Sequence, residues 1–307
     1  MFWGFCTRIA ILLFLKPIFP TIQGNEYQNG KGFVDGENFG GASIILFDLT
    51  KKVSIVYISD GFKTVIEDTV VCEHYLTLLI DGKKRATFSC TPEYLEEMIL
   101  GYLLTEGIVE KIEDVEKVAF SQDGHEVDVS IRKGMQLPIT GESNLDNRRQ
   151  HPNYRRTAFQ QPGLKRTDCS ISFSISEILR NFERFIEKAQ MYKKTRAVHS
   201  SALCNEDGII FVINDIGRHN AIDKVIGMAQ KKRIALSGTY IVTSGRVPTE
   251  IARKVIKGGI PMLVARSVAT YEAIELARRY DLILVGGLGY GQIKVYNGGQ
   301  HLVDEKL

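Results

Sequence analysis

From residue 208 onward the chain repeats one pattern: a short apolar run rich in Ile, Val and Leu, a loop, then an amphipathic helix. Strands are expected at 208–213, 239–242, 262–265 and 282–285, with helices at 220–230, 249–257 and 271–280 between them. Uninterrupted aliphatic strands alternating with helices predict an α/β layer with some parallel pairing. In open α/β sheets, chemistry gathers in the loops at the carboxyl ends of the strands. Those loops are where functional residues are sought.

Upstream of the α/β part, the pattern is that of a smaller α+β unit. A strand is expected at 70–80 and its return at 83–90, joined by Asp81-Gly82, a two-residue turn of the I′ kind. Thr91-Pro92-Glu93 reads as a helix opening, with a cap residue, a proline in the first turn and an acid beside it. Leu95, Met98, Ile99, Tyr102 and Leu103 form the apolar stripe of that helix, and Gly107 closes it. A second hairpin is expected at 115–119 and 126–131 around Asp123-Gly124. A further one is expected within 43–58, where residues alternate around Asp48–Lys52. Four regions result: an apolar extension and linker (1–60), a small α+β domain (61–140), a basic mobile loop (141–172) and an α/β domain (173–307).

The first twenty residues are very apolar, but the uninterrupted run Ile9–Leu15 is too short to span a bilayer. Only Arg8 precedes it and no small-residue cleavage site follows, so an extra strand or helix, or a start placed too far upstream, is favoured over a signal or anchor. The Gly/Asn-rich stretch before residue 42 reads as linker.

Of 307 residues 44% are hydrophobic, enough for one large core or two modest ones, and the net charge of +3 sets up no strong field. Nucleic acid is therefore not expected as a partner. Arg148, Arg149, Arg155, Arg156, Lys165 and Arg166 cluster in the loop before residue 168 and read as a solvated insertion. Five cysteines (Cys6, Cys72, Cys90, Cys169 and Cys204) form no CxxC pair. A reducing compartment fits this set better than a disulfide framework, and neither a structural zinc nor any other metal is expected.

Four loops carry candidate residues. Gly217, Arg218, His219 and Asn220 follow a strand and open a helix. Such a loop can offer a planar guanidinium, a proton carrier and a cap at a helix start that favours anions. Thr243, Ser244, Gly245 and Arg246 repeat the arrangement after the next strand. His199 lies in VHSSALC without the acid or the PCxxC of zinc deaminases, which speaks against a deaminase-like hydrolase. Gly287, Leu288, Gly289, Tyr290, Gly291 and Gln292 form a glycine-rich turn that lets backbone amides approach a ligand.

TPEYLEEMILGYLLTEGI (91–108), VHSSALCNEDG (198–208), DIGRHNAIDKVIG (215–227) and TSGRVPTEIARKVIKGGIPMLVARSVAT (243–270) together resemble the formate dehydrogenase accessory sulfurtransferase family, the FdhD/NarQ family, over residues 65–305. The resemblance implies a cytidine-deaminase-like fold for the α/β domain. It also implies a cytoplasmic sulfurtransferase that takes persulfide sulfur from a cysteine desulfurase. The sulfur goes to a molybdenum or tungsten bis-pterin guanine dinucleotide cofactor, for the catalytic subunit of formate dehydrogenase. Family members are often homodimers.

The chain departs from the family in two places. The family's SSCGxCG segment corresponds to Thr167–Ser172: Cys169 matches its first cysteine, Ser170 stands for a glycine and Ser172 for the second cysteine. Cys169 is thus the expected persulfide carrier, activated by Lys165 and Arg166 if these stay close; a two-thiol relay would need Cys204. The family's cofactor-binding turn, G-F-x-R-x-x-R, is altered: Gly287, Gly289 and Gln292 replace its aromatic residue and both arginines. Gly217–Asn220, Thr243–Arg246 and Gly287–Gln292 are expected to line the cofactor site. The rival expectation is a binding-only chaperone that holds a cofactor or guanine nucleotide without moving sulfur.

Overall fold

The structure, a computed structural model, describes residues 31–34, 45–132, 164–168, 170–290 and 293–304. The first strands are β1 (Lys31–Val34), inside the stretch read as linker, and β2 (Ile45–Asp48), which pairs with it antiparallel. A long ribbon follows, β3 (Thr50–Ser59) against β4 (Phe62–Val71). The hairpin expected within 43–58 is therefore displaced. The chain turns at Asp60-Gly61, both at positive φ (51° and 81°), the left-handed pair a I′ turn needs. Leu49 instead drops into a small core with Met191 and Val198. The strand expected over 70–80 divides because the Cys72 N–H donates to the Leu49 carbonyl (2.9 Å), and β5 starts afresh (His74–Ile80).

β5, β6 (Lys83–Cys90), β7 (Val115–Phe120) and β8 (Glu126–Ile131) form a four-stranded sheet in the order β6-β5-β8-β7, with β5 and β8 parallel. The expected two-residue turn Asp81-Gly82 and the expected hairpin around Asp123-Gly124, whose loop spans 121–125, both join antiparallel neighbours. Leu76, Leu78 and Ile80 point to one face at the period of a strand and pack on helix α1 (Leu95–Thr105). α1 begins later than its sequence suggests. Tyr94, at φ 54°, is its N-cap, and Thr91 is buried with its hydroxyl drawn to a distant partner. Its end is as expected: Gly107, at φ +70°, donates to Leu104 and Ile108 to Leu103, a Schellman closure.

The second part runs β9 (Phe173–Ser174), α2 (Ile175–Lys188), α3 (Gln190–Thr195), β10 (His199–Asn205), β11 (Gly208–Asp215) and α4 (Arg218–Lys231). It continues through β12 (Tyr240–Thr243), α5 (Thr249–Lys257), β13 (Met262–Ala265), α6 (Tyr271–Arg279), β14 (Ile283–Gly286), β15 (Lys294–Asn297) and β16 (Leu302–Val303). Six of these strands make one sheet, β11-β10-β12-β13-β14-β15, in which β12, β13 and β14 are parallel. Every residue of those three strands is buried, which explains their unbroken aliphatic sequences. One face, with Val242 and Val264, is covered by Phe182 and Phe185 of α2; the other, with Ile241 and Leu263, by α4, α5 and α6. An α/β sheet preceded by a smaller α+β unit is thus the observed architecture.

The two sheets share one hydrophobic core, bridged where α1 crosses α4. The crossing is backbone on backbone. A Cβ on Gly101 would collide with the Asp223 carbonyl oxygen, and a Cβ on Gly227 with the Glu97 carbonyl oxygen. Among the described residues, no helix is long and apolar enough to cross a membrane.

Candidate functional site

Strand register assembles the site. His199 faces Asp215, Ser201 faces Thr243, Thr243 faces Ala265, Val264 faces Val285, and Gly286 faces Lys294. The loops after β11, β12, β13 and β14, with the first residue of β10, therefore share one edge, as open α/β sheets favour. Gly217–Asn220, Thr243–Arg246 and Gly287–Tyr290 are all brought there. Gly291, Gln292 and Cys169 lie outside the described residues.

At the centre of this edge, Ser244 Oγ lies 3.5 Å from His199 Nδ1 and accepts from the Ser200 N–H at 3.0 Å. Gly245 lets the neighbouring loop close in: its absent Cβ would sit 3.5 Å from the Cβ and Cδ of Arg218 and 3.8 Å from His199 Nδ1. Thr243 is buried, and its hydroxyl oxygen accepts from Ser201 Oγ and the Gly245 N–H. It braces the loop rather than facing solvent. Burial, reinforced by the Arg218 charge, holds His199 below the usual imidazole range, so it is neutral at pH 7. Burial also lowers His219, against the pull of Glu250, whose Oε2 lies 2.9 Å from His219 Nε2. Arg246 is exposed.

The glycine-rich turn folds back on the loop after β13. Gly287, at φ 81°, donates its N–H to the Ser267 carbonyl (2.7 Å), and Gly289 donates to that of Arg266 (2.8 Å). A Cβ at 289 would stand 2.6 Å from Arg266 Cγ, so the Arg266 stem occupies the space a side chain there would need. Leu288 turns inward to the core under α2. Arg266 was not among the sequence candidates. A signal existed, because it follows an apolar parallel strand, as the 243–246 loop does.

Half of the 215–224 motif faces inward. Asp215, wholly buried, takes Oδ1 bonds from the Gly217 N–H (2.7 Å) and Asn220 Nδ2 (2.9 Å). Its Oδ2 accepts from the Thr91 N–H and hydroxyl and lies 2.6 Å from Lys224 Nζ. Asn220 also donates to the Ser89 carbonyl. The expectation that Asn220 caps the helix is therefore corrected. Gly217 is the N-cap, and the Asn220 amide ties α4 to the small sheet. One turn on, Asp223 holds Lys254 Nζ through both oxygens (2.9 and 2.8 Å), and Glu106 binds Lys254 and Arg253. Burial alone would raise the Glu106 carboxyl, but Lys254 and then Arg253 outweigh it and hold it far below the usual range.

The residues that flank Cys169 sit at the opposite edge. Thr167 donates its N–H to the Tyr280 carbonyl (2.9 Å) and its hydroxyl to that of Asp281 (2.7 Å), just before β14. Arg166 is engaged by Asp281 at 2.9 Å. Phe173, on β9, stacks edge-on against Tyr240 at the amino end of β12, beside a cavity of about 600 Å³ that Ile171 and Ser172 also line. Cys204 is fully buried near Phe173, and burial pushes its thiol far above the ordinary range, so it cannot stand in as a second thiolate. Among the described residues, no three His, Cys, Asp or Glu side chains are grouped to hold a metal.

The profile of the FdhD/NarQ family matches residues 71–303. Relatives named sulfur carrier protein FdhD include one from Wolinella succinogenes, 31% identical over 80% of this chain and 87% of its own length. Another, from Listeria monocytogenes serotype 4b, is 30% identical over 83% and 99%. A crystal structure from Desulfotalea psychrophila, described as a candidate formate dehydrogenase accessory protein, superposes with a TM-score of 0.68. It covers 83% of this chain and 100% of its own at 22% identity, a likeness of fold. With a shared fold, a family profile spanning both sheets and relatives matched along nearly their whole length, the chain belongs to the FdhD/NarQ family.

Proposed function

We propose that the chain is a cytoplasmic sulfur carrier for formate dehydrogenase. It accepts persulfide sulfur from a cysteine desulfurase on Cys169 and presents it to a molybdenum or tungsten bis-pterin guanine dinucleotide cofactor. That cofactor is cargo bound for the formate dehydrogenase catalytic subunit. The observation that carries the reading is the gathering at one sheet edge of Arg218, His219, Ser244, Gly245, Arg246 and the glycine-rich turn. Guanidinium groups of this kind suit the phosphates of a dinucleotide. The turn from Gly287 to Gln292 is proposed to contribute close approach rather than charge, since the N–H groups of Gly287 and Gly289 are already given to Ser267 and Arg266.

Loading needs one thiol. The Cys169 thiolate attacks the terminal sulfur of the donor persulfide, the S–S bond breaks, and the donor leaves as thiolate while its terminal sulfur, with its proton, becomes the new persulfide. Ser172 and buried Cys204 give the chain no second thiol there, so the relay is proposed to run through Cys169 alone. The anchors of its flanks, Thr167 and Phe173, lie across the four-residue strands β12 and β14 from the arginines, a span of about 13 Å. Donor and cofactor would therefore approach from opposite edges. A homodimer is also proposed, and sedimentation tests it.

Intact-mass spectrometry after incubation with a cysteine desulfurase and cysteine tests the carrier role. A gain of one sulfur, lost on reduction and absent in Cys169→Ala, supports it. Folded protein that gains nothing leaves the binding-only chaperone as the better reading.

A further inference from the structure

Tyr192, at the rim of the carboxyl edge, gathers two guanidinium groups. Arg266 Nη1 donates to its hydroxyl at 3.3 Å, with the guanidinium carbon 5.8 Å from the ring centroid. The guanidinium carbon of Arg196 lies 5.2 Å from the same centroid. Arg196 is held there by a left-handed backbone (φ 56°) at the end of α3, and Arg266 by main-chain bonds to Thr243 on one side and Gly289 on the other. Hydrogen bonds from Arg266 and then Arg196 draw the Tyr192 phenol below its ordinary range, as two convergent cations must. Among the described residues, no carboxylate lies within ion-pair distance of either arginine, whereas Arg166, Arg180, Arg253 and Arg278 each have one. Two like charges fixed at one ring repel each other, and an anion between them removes that repulsion.

We propose that Arg196 and Arg266, positioned by Tyr192, form a diphosphate-binding subsite at the carboxyl edge. It supplies the positive charge that the turn at 287–292 lacks. The subsite rests on the reading that this edge takes a nucleotide-bearing cofactor. Two guanidinium forks beside one ring can each bind a phosphate through paired N–H donors. Gly289 is part of the device, because any side chain there would meet the Arg266 stem and shift its guanidinium.

Isothermal titration of the full chain with inorganic pyrophosphate, and separately with guanosine diphosphate, tests this. Arg266→Ala, Arg196→Ala and Tyr192→Phe are compared with Arg246→Ala, and the melting temperature of each variant checks its fold. Loss of either subsite arginine is expected to weaken pyrophosphate binding by about tenfold or more, and Tyr192→Phe, which keeps the ring, by less. If both ligands bind and only Arg246→Ala weakens them, the subsite is overturned while the cofactor edge stands. If the unaltered chain binds neither ligand, the subsite and the cofactor reading fall together. Loss of pyrophosphate binding in the two arginine variants, in a protein that takes up no sulfur on Cys169, keeps the subsite and removes the carrier role.

Discussion

The molecule holds two groups of charge that behave oppositely. At the α1–α4–α5 junction, Asp215, Lys224, Asp223, Lys254, Glu106 and Arg253 are buried and saturated by one another. At the carboxyl edge of the sheet, Arg196, Arg246 and Arg266 have no carboxylate partner among the described residues. The difference teaches that a charged motif is not a site as a whole. Asn220, Asp223, Lys224 and Gly227 recur at helical spacing and share the face that receives α1, whereas Arg246, in the loop beside them, is exposed at the edge. Charges whose partners are internal hold the two sheets together; charges left without one are available to a ligand.

The largest expected effect lies at the junction. Gly227→Ala would set a methyl against the Glu97 carbonyl, and neither backbone can yield by a rotamer change. The loss should exceed the roughly 1–3 kcal/mol of ordinary overpacking, read as insoluble protein or a collapsed denaturation midpoint. A variant as stable as the parent would show that α1 and α4 do not cross this closely. Lys224→Met comes next. It leaves Asp215 buried with its charge uncompensated, and should cost about 3–5 kcal/mol in chemical denaturation.

How much of this was legible in the sequence follows the same division. The strands from β11 to β14 were readable because burial on both faces forces continuous aliphatic runs, and the loops after β11, β12 and β14 were readable as their carboxyl ends. Thr91 was misread because its local context fits a helix cap, while its actual partners, Asn214, Asp215 and Lys224, are more than a hundred residues away. On the inward face of α4, Asn220 is read from the sequence as part of the anion-favouring loop, although its spacing with Asp223, Lys224 and Gly227 is that of a packed helix face. Tyr192 and Arg196 left none, since nothing in a basic six-residue helix indicates that its ring will meet an arginine seventy positions on.

Glu93 belongs to the junction, buried and within reach of the charges of Lys224 and Asp215. Burial is the main cause of its carboxyl being pushed up to about 7; Lys224 opposes this and Asp215 adds to it. A carboxyl raised on folding contributes stability that is present in full below its unfolded value near 4.5 and is lost as pH rises through 7. The parent should therefore weaken relative to Glu93→Gln across that window, by up to about 3 kcal/mol. A pH-independent difference between the two would place Glu93 with the paired charges instead.

The smallest expected change in stability is at the open edge. Arg246 is exposed, so Arg246→Ala should move the unfolding free energy by no more than about 0.5 kcal/mol. Its effect should fall on binding. One charge-assisted contact to a phosphate is worth about 1.5–3 kcal/mol, so affinity for guanosine diphosphate should drop tenfold or more, and the loss should shrink as salt is raised. Lys224→Met, measured under conditions where it remains folded, should show the reverse: a large loss of stability and an affinity close to the parent's. If Arg246→Ala destabilised the fold as strongly as Lys224→Met, the separation between holding charges and binding charges would fail. The 243–246 loop would then belong to the scaffold.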